Sequence, residues 1–274
     1  MPAARIIETG TGQLLVRVQE GVAILTLNRP EARNALSTEL SPALRRMIGQ
    51  MGADDTVRAL MITGAGTAFC AGGDVTNMGD RRAPTDQTLD ERFRAMQERH
   101  QGICGALYAL RKPTVAALPG PAAGAGLALA LACDIRVAAA SAFVSTGYTR
   151  VGLSGDYGIA WLMTHAVGPS RARELMLTNE RIAAPRAAEL GLVHRVVADD
   201  ALQQEAFALA LSLAEGPSVA LGYIKDNLDE ALDIAYATAI DREAERMLKT
   251  QGTDDHKEAV RAFVEKRKPV FKGR

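Results

Sequence analysis

Two glycine-rich turns carry the chemistry that this sequence offers most directly. One reads Ala68-Phe69-Cys70-Ala71-Gly72-Gly73-Asp74, the other Pro119-Gly120-Pro121-Ala122-Ala123-Gly124-Ala125-Gly126, and each follows a short apolar run. Small residues let a backbone approach a ligand closely. A helix beginning directly after the second turn would present unpaired N–H groups and the positive end of its dipole. Two such turns at one sheet edge could aim two amides at one oxygen. That is an oxyanion hole, commonly a large contribution in acyl chemistry. The same small residues would equally permit a helix to pack closely on the sheet. Other standard devices are missing from the sequence: there is no Walker loop, no HExxH and no GxSxG, and the run from Gly64 lacks the third glycine of a dinucleotide fingerprint.

The elements that must hold these turns follow from periodicity. Residues 14–18 and 22–27 read as strands joined across Glu20-Gly21, a hairpin. A helix is predicted from about Thr38 to Met51, with Leu40, Leu44, Met47, Ile48 and Met51 on one face and Pro42 tolerated near the first turn. Residues 57–63 (VRALMIT) are nearly all apolar, as in a strand covered on both faces. Residues 75–90 are polar and turn-rich, as in a mobile segment, and a long helix is predicted from about Leu89 to Leu110. Strand 114–118, helix 125–132 and strand 134–138 repeat the pattern, with helix 158–166 beyond them. Further helices are predicted at roughly 169–177, 185–190, 199–214, 230–250 and 254–266, interrupted by a strand at 192–197. Alternating short strands and helices imply a mostly parallel, covered sheet. The expected division is a core domain over 1–198 and a helical oligomerisation region over 199–274.

Composition narrows the function classes. The chain has 274 residues, with 32 Lys plus Arg against 32 Asp plus Glu. A net charge of zero gives no bulk pull toward nucleic acid or an anionic membrane, so neither is expected as a partner. Cys70, Cys104 and Cys133 form no CxxC pair and read as buried thiols. The N-terminal residues lack an apolar core like that of a signal peptide, and residues 122–133 are too short to span a bilayer. These features fit a cytoplasmic protein.

The strings LNRPEARNAL, AFCAGGD, the Ala/Gly-rich turn ending in CDIRVA, VGLSGDYG, GLVHRVV and AFVEKRKPVFK together resemble the enoyl-CoA hydratase/isomerase (crotonase) family, in its order and spacing and over almost the whole chain. The resemblance implies a spiral of ββα units with a helical C-terminal trimerisation region, and a trimer or dimer of trimers. It also implies an acyl-CoA substrate with no separate cofactor, coenzyme A being part of the substrate, and no metal. The two oxyanion amides carry over to Gly73 and Ala125. CoA contacts carry over to Arg33, Ala35, Ala71 and Gly72, and to Phe263 and Lys266, often from a neighbouring subunit. Lys266 would equally suit a solvated basic helix end.

The sequence departs from the family at its catalytic acids. The two glutamate positions of typical hydratases are occupied by Ala128 and Tyr148. An alanine cannot hold a water or deliver a proton, and a tyrosine is a poor base near neutral pH, so Tyr148 is expected to contact the substrate instead. One carboxylate remains nearby, Asp156, matching the aspartate that some isomerases of the family use and the nucleophile of its dehalogenase branch. A single carboxylate in an apolar pocket can carry a proton between C2 and C4 of a 3-enoyl thioester while the oxyanion hole holds the dienolate. Asp156 could also cap the helix starting near Tyr157. The dehalogenase-type reading needs a histidine base on the long helix, and His100 is one residue out of register counted back from Pro113. Met78, Phe93, Met96 and Trp161 could line an acyl pocket, or belong to the core. The expected activity is isomerisation of an enoyl-CoA. The alternatives are a hydratase in name or of low activity, a hydrolase or dehalogenase using Asp156 as nucleophile, and a CoA-binding protein without catalysis.

Overall fold

The computed structural model describes residues 4–74 and 87–274. The expectations for residues 75–86, Met78 included, lie outside the described residues. Ten strands are described: β1 (Arg5–Ile7), β2 (Leu14–Gln19), β3 (Val22–Leu27), β4 (Ala59–Gly64), β5 (Thr114–Leu118), β6 (Ala122–Ala123), β7 (Ile135–Ala139), β8 (Phe143–Ser145), β9 (Ile182–Ala183) and β10 (Arg195–Val197). The α-helices are α1 (Leu40–Ala53), α2 (Leu89–His100), α3 (Ala106–Tyr108), α4 (Ala125–Leu131), α5 (Ile159–Thr178), α6 (Ala184–Glu189), α7 (Leu202–Ala214), α8 (Ser218–Glu230), α9 (Tyr236–Gln251) and α10 (Asp254–Val264).

The larger sheet has the order β1-β2-β3-β4-β5-β7-β10, antiparallel from β1 to β3 and parallel from β3 to β10. β2 alternates buried and exposed side chains, as expected of an edge region with one wet face. β4 and β5 are buried at every residue, as the apolar run predicted. α1 packs on β2 and β3, and α7 on β4, β5 and β7. A second, smaller sheet joins β6, β8 and β9. β4 and β5 are parallel neighbours, pairing Leu60 with Thr114 through Thr63 with Ala117. Their following loops, the two glycine-rich turns, therefore leave the sheet at the same edge.

Several elements differ from the sequence expectation. The long helix predicted from Leu89 to Leu110 is interrupted: a π-helical turn over Gln101–Gly105 separates α2 from α3. The helices expected at 158–166 and 169–177 are both present, as the two halves of α5 on either side of the non-helical Gly168 (φ 76°, ψ 161°) and Pro169. α8 was not expected, and the helix predicted at 230–250 begins at Tyr236. The strand predicted at 192–197 is confined to Arg195–Val197. Among the described residues no single helix is long and apolar enough to cross a membrane.

Candidate active site

The two turns meet through their backbones. Phe69 and Cys70 both donate N–H to the Pro121 carbonyl (3.1 and 3.2 Å), and Ala123 N–H donates to the Cys70 carbonyl at 2.9 Å. Close approach is obligatory here. A Cβ on Gly126 would lie 2.1 Å from the Cys70 oxygen, so only glycine fits. Gly73 pairs with Leu36 in a parallel bridge, in which Leu36 N–H donates to Gly72 and Asp74 N–H donates to Leu36. That pattern uses the flanking groups and turns Gly73 N–H away from residue 36. Gly72, at φ +102°, lies so near α4 that a Cβ there would sit 3.5 Å from Ala125 N. Ala125 opens α4, where a first-turn amide has no intrahelical acceptor. The structure thus brings Gly72, Gly73 and Ala125 together. It also ties in Ala71, whose N–H donates to the Arg33 carbonyl at 3.0 Å. Ala35 adjoins them, its carbonyl accepting from Arg29 Nη1 at 2.7 Å.

Tyr148 is fixed beside this gap. It opens a 3-10 turn between Gly147 and Gly152, both left-handed. The buried Asn179 holds that turn, its Oδ1 accepting from Ser145 Oγ, Thr146 Oγ1 and Gly147 N–H. Gly124 N–H donates to the Ser145 carbonyl at 3.1 Å, so the Tyr148 turn and the second glycine-rich turn share a support. The buried Tyr148 ring lies next to Gly124, and its hydroxyl donates to Asp156 Oδ1 at 2.6 Å. Burial, above all, pushes the Tyr148 hydroxyl far above its usual range, with the Asp156 charge adding to the effect. It therefore stays protonated and acts as a donor.

Asp156 does not cap α5. The cap residue is Gly158, no side chain accepts at that end, and only the Asp156 backbone carbonyl receives Ile159 N–H. The loop is held in unusual backbone, with Gly155, Tyr157 and Gly158 all at positive φ. Tyr157 at φ 52° is a strained conformation for a bulky residue. Asp156 and Tyr157 line a cavity of 410 Å³ that extends to Leu36 and Asp74, the neighbours of Gly73. Ala128 is completely buried in the core.

His100 belongs to this group, against the register argument. Its Nε2 lies 4.0 Å from Asp156 Oδ2, and its ring packs at 4.1 Å on Tyr157. A π turn over Gln101–Gly105 lies between His100 and Pro113 and changes the rotation of α2 relative to the helix beyond it. Burial chiefly lowers the His100 pKa, opposed by Asp156 and aided by the neighbouring Arg99, so the imidazole is neutral at neutral pH. Its Nε2 is buried without a hydrogen-bond partner.

Other expected residues lie elsewhere. Phe263 is 85% exposed on α10, and Lys266 follows that helix at φ 55°. Phe93 and Met96 are exposed on α2 and belong neither to the core nor to the lining of this cavity. Trp161 lines a separate 240 Å³ cavity with Cys104, Tyr108 and Leu162. The three cysteines are buried, and burial pushes the Cys70 and Cys133 thiols up to about 12. Sequence reasoning missed Arg99, which lines the Asp156 cavity and has a buried, unpartnered Nε. Its polar neighbourhood could have been found only with α2 placed against the 154–158 loop.

The comparisons agree with this architecture. The enoyl-CoA hydratase/isomerase family model matches residues 17–274. The 1,2-epoxyphenylacetyl-CoA isomerase of Escherichia coli K12 is 36% identical over 261 residues, covering 95% of this chain and 98% of the relative. The trans-2-decenoyl-[acyl-carrier-protein] isomerase of Streptococcus mutans is 33% identical over 262 residues, covering 96% and 98%. The crystal structure of an enoyl-CoA hydratase from Polaromonas sp. JS666 superposes with a TM-score of 0.87 at 32% identity, covering 95% of this chain and all of that one. The fold is that of the crotonases, and the chain belongs to the enoyl-CoA hydratase/isomerase family.

Proposed function

We propose that this enzyme isomerises the double bond of an enoyl thioester of coenzyme A, with Asp156 as the proton carrier and the Gly73 and Ala125 amides as the oxyanion hole. The observation that carries the reading is the placing of Asp156: it lines the cavity beside the two turns with Tyr148 on one of its oxygens, whereas Asp74 and Glu39 on the same cavity are engaged by Arg29 and by Thr11 and Gln13, and the family resemblance puts Ala128 and Tyr148 at the hydratase glutamate positions. Two relatives with isomerase names, in Escherichia coli and Streptococcus mutans, support it.

The chemistry balances with these groups alone. The Asp156 carboxylate takes a proton from C2 of a 3-enoyl thioester. The electron pair delocalises onto the thioester oxygen, where two amide N–H groups stabilise the developing charge. The carboxylic acid so formed returns its proton to C4, and the conjugated 2-enoyl thioester is released. Tyr148 donates to Oδ1 and leaves Oδ2 for the substrate proton. A neutral His100 beside Oδ2 does not lock it in an ion pair. The CoA portion is assigned to Arg33, Ala35, Ala71 and Gly72, with Phe263 and Lys266 reaching it from a neighbouring subunit.

The test is conversion of a 3-enoyl-CoA to its 2-enoyl isomer, followed by absorbance of the conjugated thioester. Asp156→Asn is expected to lower kcat by roughly a thousandfold, within the range for loss of a general base. Turnover within tenfold of the parent, or rapid hydration of crotonyl-CoA by the parent, overturns the reading.

His100 favours one second reading, displacement or hydrolysis with Asp156 as nucleophile and His100 activating water. Trapping of a covalent acyl-aspartate would select it over isomerisation.

A further inference from the structure

Arg99 stands out among the cations of the Asp156 cavity. Arg29, on the same wall, is compensated: Nη2 pairs with Asp74 at 3.1 Å and Nη1 donates to the Ala35 carbonyl. Glu39, across the cavity, accepts from Thr11 Oγ1 and Gln13 Nε2. Among the described residues, no carboxylate lies within ion-pair distance of Arg99, and its Nε is buried with no hydrogen-bond partner. A desolvated guanidinium donor left unsatisfied is costly unless something fills it. The cavity it faces contains the proposed proton carrier.

We infer that Arg99 is a specificity-determining residue whose guanidinium receives an oxygen acceptor on the acyl group, so that this enzyme takes acyl-CoA thioesters oxygenated along the chain rather than plain hydrocarbon ones. The inference rests on the reading of the Asp156 cavity as the acyl site. Its physical basis is asymmetry. An oxygen acceptor in the cavity can pair with a guanidinium N–H that has no partner within the protein, whereas a methylene of the same size desolvates that N–H and leaves it unpaired. The groups nearest Arg99 do not supply that acceptor. Tyr157 and His100 feel its charge, and His100 is held neutral partly by it, but neither hydrogen-bonds to it.

The experiment measures binding, not turnover. Saturated acyl-CoA thioesters, which have no double bond to isomerise, are titrated calorimetrically into the full-length protein. In one series a keto group steps from the middle of the chain outward, and each member has a methyl-branched hydrocarbon isostere. At one position at least, the keto compound is expected to bind roughly tenfold tighter than its isostere, as one hydrogen bond to a charged group implies. Arg99→Met is expected to abolish that preference, the isostere binding the variant at least as tightly as it binds the parent because no donor is left unpaired. Equal affinities for keto compound and isostere at every position overturn the inference without recourse to a variant, and so does a preference that survives in Arg99→Met. If no acyl-CoA binds tighter than coenzyme A alone, the acyl-site reading falls and takes this inference with it. Acyl binding without keto preference sinks only the role of Arg99.

Discussion

Tyr148 and Asp156 share one short hydrogen bond, and in the proposed reaction the tyrosine acts only through the carboxylate. A hydrogen bond to a charged group is worth about 1.5–3 kcal/mol. Tyr148→Phe keeps the ring beside Gly124 and removes only the hydroxyl, so the carboxylate loses its orientation while the binding surface stays. The expected result is a kcat lower by roughly tenfold to a hundredfold with KM within about twofold, in steady-state kinetics on a 3-enoyl-CoA. A parallel rise in KM would point to a wall of the acyl pocket instead. At this scale the sequence displayed the two glycine turns and the lone aspartate, because both are local strings. It did not display the partners. His100 reads one residue out of register, and its place against Tyr157 and Asp156 is a tertiary contact with no local string to announce it. Arg99 is an ordinary exposed-helix residue by type, and only tertiary packing around α2 makes its Nε a buried donor.

The two turns form a unit because glycine permits three backbone approaches: Gly64, Gly120 and Gly126 would each place a Cβ within 2.1 Å of a carbonyl oxygen. Gly126→Ala puts a methyl group against Cys70 O, and neither partner can yield, both being backbone. The turns must separate, which displaces the Ala125 amide relative to Gly73. A loss of about 2 kcal/mol or more is expected from overpacking alone, which lowers Tm by roughly 4–8 °C for a chain of this length. Activity should fall by more than stability accounts for, read as a loss of at least a hundredfold in kcat well below the melting range. Full activity in the folded variant would detach the amide pair from catalysis. The β4 and β5 strands and α4 were legible to within a residue or two, since continuous apolar runs ending in glycine carry a strong signal. α8 was not. Apolar residues at helical spacing run through Leu228, Leu232 and Ile240, and the real break at 231–235 contains no glycine or proline.

At the scale of the whole molecule, pH and self-association test different layers. His194 Nδ1 accepts the Arg136 backbone N–H at 3.1 Å, and the Arg136 guanidinium lies beside its other nitrogen. Burial, then Arg136, lowers the His194 pKa from 6.5 to about 4. The unfolded chain therefore takes up a proton that the folded chain refuses. Stability is unaffected by this group above about 6.5 and declines as pH falls from there toward 4. In urea titrations at pH 7.5 and at pH 5, His194→Gln is expected to show a smaller drop between the two than the parent, and an equal drop would remove His194 as the cause. The C-terminal helices present a different problem. Ile224, Leu228, Tyr236, Ile240, Met247 and Leu248 are between 49% and 82% exposed on α8 and α9, and Ile224, Ile240 and Met247 line a 510 Å³ groove there. So much apolar surface on one face is unusual for a monomer, and a second copy of the chain is the occupant expected from the family resemblance. Sedimentation should find a particle of three or six times 29.1 kDa. Ile240→Asp with Met247→Asp places charges in that groove without touching the sheet core, and should give smaller particles that retain the parent's far-ultraviolet circular dichroism. If Phe263 and Lys266 contact coenzyme A across the subunit boundary, those smaller particles should also bind acyl-CoA more weakly. Unchanged affinity in a dissociated variant would place the whole CoA site within one chain.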